Sequence, residues 1–235
     1  MQKIAVSSKH DHRNAAGILS ILTMWLVAFL LTVNTTSVKA QQVIGPSLSQ
    51  AELNTIIGQA VTAANSTASA TGLRSVDAAN GPKRSTKMHI AVVSRDGRLL
   101  AHFAMPDAWV GSEDIALGKA RTAAFFSSDE NALTSRIIGV LSQAHNPDGS
   151  GGAGPLWGIG NSNQANSGEK STRNGIITFP GGVALYKDGQ LVGGIGVSGD
   201  AVDQDEYVAF AGAAGFLPGS GVVKLGYTPP VVPQL

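Results

Sequence analysis

Apolar residues recur at helical spacing over Leu53, Ile56, Ile57, Ala60, Val61 and Ala64, which predicts a helix from about Gln50 to about Ala68. Ser49 and Glu52, three positions apart at its start, have the spacing of a capping box, in which each side chain satisfies the other's backbone N–H. The period then shortens. His89 to Ser94 and Leu99 to Met105 are strand-like runs around Arg95-Asp96-Gly97-Arg98, and a two-residue Asp96-Gly97 turn would pair Val93 with Leu100, Ala91 with His102 and His89 with Ala104. Pro106 ends this hairpin, and Ser112 is placed to cap a helix of small residues through about Phe126. Ser127 or Asp129 would open a third helical segment to about Ala144. Residues 146–178 are dominated by Gly, Asn and Ser, with Trp157 and Ile159 as candidates for a packed part. A second hairpin follows, Val183 to Lys187 and Gln190 to Val197, turning at Asp188-Gly189, a type I′ signal. A helix from Asp200 to about Ala214 is the last, and the Pro-rich tail 226–235 fits neither a helix nor a central strand.

Two parts of the chain thus share the plan strand, Asp-Gly turn, strand, helix. Hairpins alternating with helices predict an α+β domain with an antiparallel sheet of about five strands flanked by helices, a profilin- or PAS-like layered architecture. Residues 41–235 are read as one such domain. Residues 1–40 are read as a secretory signal peptide, the alternative being a retained N-terminal anchor: Lys3, Lys9 and Arg13 precede an apolar run from Ile18 to Val33, and Val38-Lys39-Ala40 is a small-residue cleavage pattern. That run is shorter than the roughly 20 residues a spanning helix needs, so no stable membrane span is expected once it is cleaved. The protein is therefore expected to be exported, to a periplasm or to the medium.

Cleavage changes the charge. It removes four of 17 Lys+Arg and one of 16 Asp+Glu, leaving 13 against 15 and a net charge of −2. A basic footprint for nucleic acid is absent. With no cysteine in the sequence, disulfides, thiolate nucleophiles and Cys-ligated metals are excluded. A weakly charged surface, with 14% charged residues and 29 glycines, suits burial in a homo-oligomer.

Gly194-x-Gly196-x-x-Gly199 before a helix has the form of a dinucleotide fingerprint, but the Asp188-Gly189 hairpin makes the strands antiparallel where that fingerprint needs a parallel unit. Ser198 lies in a Gly-x-Ser-x-Asp run, which lacks the closing glycine of a nucleophile elbow. Asp203, Asp205 and Glu206 read as ordinary first-turn acids. His89 and His102 are different: the expected register sets them on one sheet face, diagonal to one another, within reach of a shared ligand. Either they ligate or they cover the rim of the sheet. His102, between Leu100 and Ala104, is the better metal-ligand candidate; His145, Met88 and Met105 are further donors.

The ordered set His89-IAVVSRDGRLLAHFAM, Asp114-IALGKARTAAFF, Phe179-PGGVALYKDGQLVGGIGVSGD and Asp203-QDE resembles the GlcG/HbpS family of haem-binding or haem-degrading domains, over about Gln50 to Phe216. Its most specific part begins at Pro180-Gly181-Gly182. The resemblance implies a layered, oligomeric haem (tetrapyrrole) binder, in some members haem-degrading or redox- or haem-sensing. It makes His102 the candidate haem-iron ligand, with His89, Lys119, Arg121, Gly181 and Gly182 as cofactor contacts. Lys119 and Arg121 would neutralise the propionates. Whether the chain is an enzyme stays undecided. The rivals are an enzyme or binding protein for a small carboxylate metabolite, and a structural or sensory oligomer with incidental ligand binding.

Overall fold

The computed structural model describes residues 46–71, 84–143, 156–159 and 175–235. The expected signal peptide, most of the connection 71–87, His145 and nearly all of the Gly/Asn/Ser-rich loop lie outside the described residues. From Ile44 onward the chain is one compact unit.

Helix α1 is Gln50–Ser66, and its capping box forms as the spacing requires, with Ser49 Oγ accepting from Glu52 N–H and Glu52 accepting from Ser49 N–H at 2.7 Å. Strands β1 (His89–Ser94) and β2 (Leu99–Ala104) make the first hairpin. Its turn differs from expectation by one residue. Gly97 takes φ 78°, Ser94 N–H donates to Arg98 O, and a bulge at Val92/Val93 pairs Val93 with Leu99 and not with Leu100. Glycine is the third loop residue here, which selects a three-residue loop with a glycine bulge. Beyond the bulge the register is as expected, with Ala91 opposite His102 and His89 opposite Ala104.

Helix α2 is Glu113–Phe126. Ser112 makes no side-chain cap, because it closes a 3₁₀ turn and is itself helical in backbone. The third helix starts later than expected. Ser127 and Ser128 spend their hydroxyls on the backbone N–H groups of Leu133, Glu130 and Asn131, which favours a turn over a helix. Short strand β3 (Asn131–Leu133) follows, and α3 (Ser135–Leu141) is capped by Thr134. Strands β4 (Gly182–Lys187) and β5 (Gln190–Ser198) turn at Asp188 and Gly189 with φ 52° and 78°, the type I′ pair. Helix α4 is Val202–Gly212 and strand β6 is Val223–Leu225.

The main sheet has four strands in the order β2-β1-β5-β4, antiparallel throughout, where about five were expected; β3 and β6 pair in parallel as a separate ribbon. One face, with Ile90, Val92, Leu185, Ile195 and Val197, packs on α1 and α4 through Ile56, Ala60, Val208 and Ala209. Each fully buried aliphatic side chain there contributes roughly 1.5–3 kcal/mol. The other face receives α2, whose Ala120 and Ala124 meet Val93. The tail pairs with the end of α1 and the residues just beyond it, with Leu235 N–H donating to Ser66 O and Gln234 bridged antiparallel to Thr67.

Candidate functional site: a histidine pair at the sheet edge

Strand β2 is an edge strand, so a side chain on it stands beside open space while its partner on β1 is covered. That asymmetry separates the two histidines. His89 is buried, at 4% exposure, between β2 and β5, where it lies opposite Ser198. His102 is exposed. Their rings are parallel, with centroids 5.3 Å apart, and His89 Nδ1 lies 3.2 Å from His102 Nε2, a hydrogen bond. The two remaining nitrogens point to opposite ends. His102 Nδ1 lies 3.9 Å from Glu113 Oε1, at the exposed start of α2. His89 Nε2 is buried without a hydrogen-bond partner among the described residues, while the backbone of Trp109 favours protonation of the ring.

Only one proton occupies the shared bond, so the pair has two tautomeric arrangements. With the proton on His102 Nε2, His89 holds its own on Nε2 and the outward His102 Nδ1 carries a lone pair. With the proton on His89 Nδ1, the Glu113 carboxylate holds a proton on His102 Nδ1. Burial, then the neighbouring His102, lowers the His89 pKa below its ordinary value, opposed by Glu113 and the Trp109 backbone. The inner imidazole is thus kept neutral, and the pair is one buried neutral ring behind one exposed ring. Beside it, the β2 edge and α1 form a cleft of about 590 Å³ reaching from Gln50 and Val61 to His102 and Phe103. Phe103 and Trp109 are exposed aromatics.

Lys119, Gly181 and Gly182 are brought together, but not at this edge. Lys119 is 1% exposed; its Nζ donates to Asp205 at 2.7 Å and to Val197 O at 2.9 Å. Asp205 also accepts from Asp200 N–H at 3.0 Å. Burial pushes the Lys119 ammonium down and the Asp205 carboxyl up, and each partner offsets the other's shift. The glycines close over this pair: a Cβ on Gly182 would stand 2.2 Å from Lys119 O, and one on Gly181 3.0 Å from Lys119 Nζ. A ligand reaches these three residues only if α2 lifts from the sheet. Arg121 lies near the surface, its Nε donating to Gly97 O at 3.0 Å. Met88 and Met105 are buried in the core.

The family model described as "Haem degrading protein HbpS-like" matches residues 48–214. This chain belongs to the HbpS-like family. Within it, the chain is 32% identical over 120 residues to the corrinoid adenosyltransferase PduO of Citrobacter freundii, covering 51% of this chain and 29% of that protein. The chain thus spans under a third of the length of that relative. An uncharacterised 15.0 kDa protein encoded between dhaT and dhaS in the same organism is 31% identical over 119 residues, 51% of this chain and 68% of its own. Among solved structures, a PduOC–haem complex superposes with a TM-score of 0.51 at 25% identity, covering 74% of this chain and 99% of that one.

In this HbpS-like domain, the sequence reading missed the acid cluster on α4. Asp205 and Glu206 are not solvated first-turn acids; they are 2% and 1% exposed. Glu206 accepts from Arg136 Nε at 2.5 Å, and Arg136 also pairs with Asp203. Burial raises the Glu206 carboxyl, against the pull of Arg136. The missed signal was the α4 pattern itself, in which Asp205 and Glu206 adjoin Val208 and Ala209 on the inward arc of the helix.

Proposed function

We propose that this chain is an exported haem-binding protein that would hold haem at the open edge of its sheet, with His102 supplying the iron donor and His89 as its buried support. The observation that carries this reading is the histidine pair: a partly exposed imidazole whose inner nitrogen is hydrogen-bonded to a neutral, buried one. Metal-bound histidines ordinarily have such a partner on the second nitrogen, which fixes tautomer and ring orientation. The residues fit the group. No thiolate competes in a chain without cysteine, His89 Nε2 lacks an ordinary partner, and exposed Phe103 and Trp109 flank the edge. Membership of the HbpS-like family and the likeness to the PduOC–haem complex support the same ligand.

In this reading the exposed Glu113 side chain turns aside, so that His102 Nδ1 presents its lone pair outward while Nε2–H donates to His89 Nδ1. His89 keeps its own proton on Nε2. Arg121, eight residues beyond Glu113 and so about 12 Å along α2, is a propionate partner by the same proposal. Lys119 contributes from within, as the buried anchor of α2. Bound haem would supply a redox-active iron, which is what a haem-degrading or redox-sensing member needs. Residues 1–40 direct export and are cleaved, and the weakly charged surface supports a homo-oligomer. Among the described residues no helix is long and apolar enough to cross a membrane.

Titration of the purified mature chain with micromolar haem tests this. A stoichiometric Soret shift is expected, lost in His102→Ala and kept, with weakened affinity, in His89→Ala. Absence of the shift, or its survival in His102→Ala, overturns the assignment. N-terminal sequencing of the exported protein checks the cleavage, and sedimentation checks the oligomer.

A further inference from the structure

The family match ends at residue 214, yet the chain continues as an ordered wrap. Val223 N–H donates to Glu130 O, and the Tyr227 hydroxyl donates to Ala184 O at 2.5 Å. The Tyr227 ring meets Phe210 edge to face at 5.1 Å. The wrap therefore stands off α4 at a fixed distance. Between them lies a pocket of about 340 Å³, lined by Tyr207, Phe210 and Ala211 from one face of α4 and by Leu217, Lys224 and Tyr227 from the wrap, with Pro218 and Pro229 completing it.

Its chemistry is lopsided. Most of the wall is aromatic, aliphatic or proline. Lys224 is the one charged lining residue, and among the described residues it has no salt bridge. Tyr227 has committed its hydroxyl to Ala184, but Tyr207 has no hydrogen-bond partner among the described residues. The ammonium of exposed Lys224 and the hydroxyl of half-buried Tyr207 thus line an apolar cavity with no protein partner among the described residues, a donor set complementary to a carboxylate with an apolar body. At roughly 30 Å³ per water-sized volume, the space holds on the order of ten non-hydrogen atoms. A tetrapyrrole is several times too large.

We propose that this pocket binds an amphipathic monocarboxylate, a medium-chain or aryl-alkyl acid, with its carboxylate at Lys224 and Tyr207 and its body against Phe210, Leu217 and Tyr227. The site is separate from the histidine edge, so it stands or falls independently of haem. Titration calorimetry of the mature protein with octanoate is the test, with octanol and acetate as comparators. Octanoate is expected to bind in the millimolar range or tighter, with octanol weaker by about fivefold, the scale of a partly solvated ion pair, and acetate weaker by at least as much because it lacks the apolar body. Lys224→Met, which keeps the side-chain bulk, should weaken octanoate about fivefold without changing octanol. Tyr207→Phe should weaken it in the same sense, and Ala211→Trp, which fills the cavity, should abolish it. Circular dichroism verifies that each variant is folded. Equal affinity for octanoate and octanol, unchanged octanoate affinity in folded Lys224→Met, or no binding at millimolar octanoate overturns the proposal.

Discussion

Replacing Lys119 by methionine should be among the most damaging single changes in this domain. The methionine keeps the length and apolar stem but deletes the charge from a site where Asp205 is 2% exposed. Asp205 would keep only the Asp200 N–H among its present partners, and the Val197 carbonyl would lose its Lys119 donor. Removing one member of a buried pair typically costs about 3–5 kcal/mol, because the remaining charge stays desolvated. Set against a total stability of roughly 5–15 kcal/mol, that is a large fraction.

The double variant Lys119→Met/Asp205→Asn discriminates the cause. Asparagine retains an acceptor for Asp200 N–H but carries no charge, so the double variant should recover most of the loss. The pH dependence has a definite sign. Burial already raises Asp205, and Lys119 opposes that rise. Without Lys119 the folded pKa climbs further above its unfolded value, so the folded state binds the extra proton and stability falls as pH rises. The deficit should be largest at neutral pH, shrink as pH falls through the raised folded pKa, and be mostly gone once pH nears the ordinary carboxylate value. Urea unfolding followed by circular dichroism at pH 7 and pH 4 measures both. A loss under about 1 kcal/mol at pH 7, the scale of a surface pair, would refute the reasoning, as would a double variant no better than the single one.

His89 gives a second pH signature: its folded pKa is lowered below 6.5, so the stability it contributes is present above that value and is lost as pH falls through the folded pKa. Unfolding curves between pH 7.5 and 5 should show this slope flattened in His89→Phe. Gly196→Ala should cost about 1–3 kcal/mol by urea unfolding, since its Cβ would sit 2.0 Å from Ala116 O on a packed helix. Gly189→Ala, whose Cβ meets nothing within 4 Å but whose φ is +78°, should lose only about 1 kcal/mol.

Local rules carried most of the fold. The Ser49 capping box, the Asp188-Gly189 turn and the diagonal relation of His89 to His102 each depend on chain neighbours or on one hairpin register, and each formed as the residues require. Where the outcome turned on a competing local bond, the pattern misled: the hydroxyls of Ser127 and Ser128 close a turn, and the helix waits for Thr134. The burial of Lys119 was not legible, because it depends on α4 arriving from 86 residues away with Asp205 facing inward. The same is true of the carboxylate pocket, which needs the tail to fold back on α4.

The glycines of β5 explain why the histidines sit where they do. A Cβ on Gly194 would lie 2.4 Å from Ala120 O, and one on Gly196 2.0 Å from Ala116 O, so α2 rests directly on the strand backbone. Such contact leaves no layer for a flat ligand between helix and sheet. Lys119, pinned by Asp205 and Val197 O, locks that contact from inside. The proposed planar ligand is then left the rim, and of the two edge strands, β2 and β4, it is β2 that carries a histidine. There the register carries one imidazole out to solvent and sets the other behind it, so the glycine signature and the histidine pair are two consequences of one close packing.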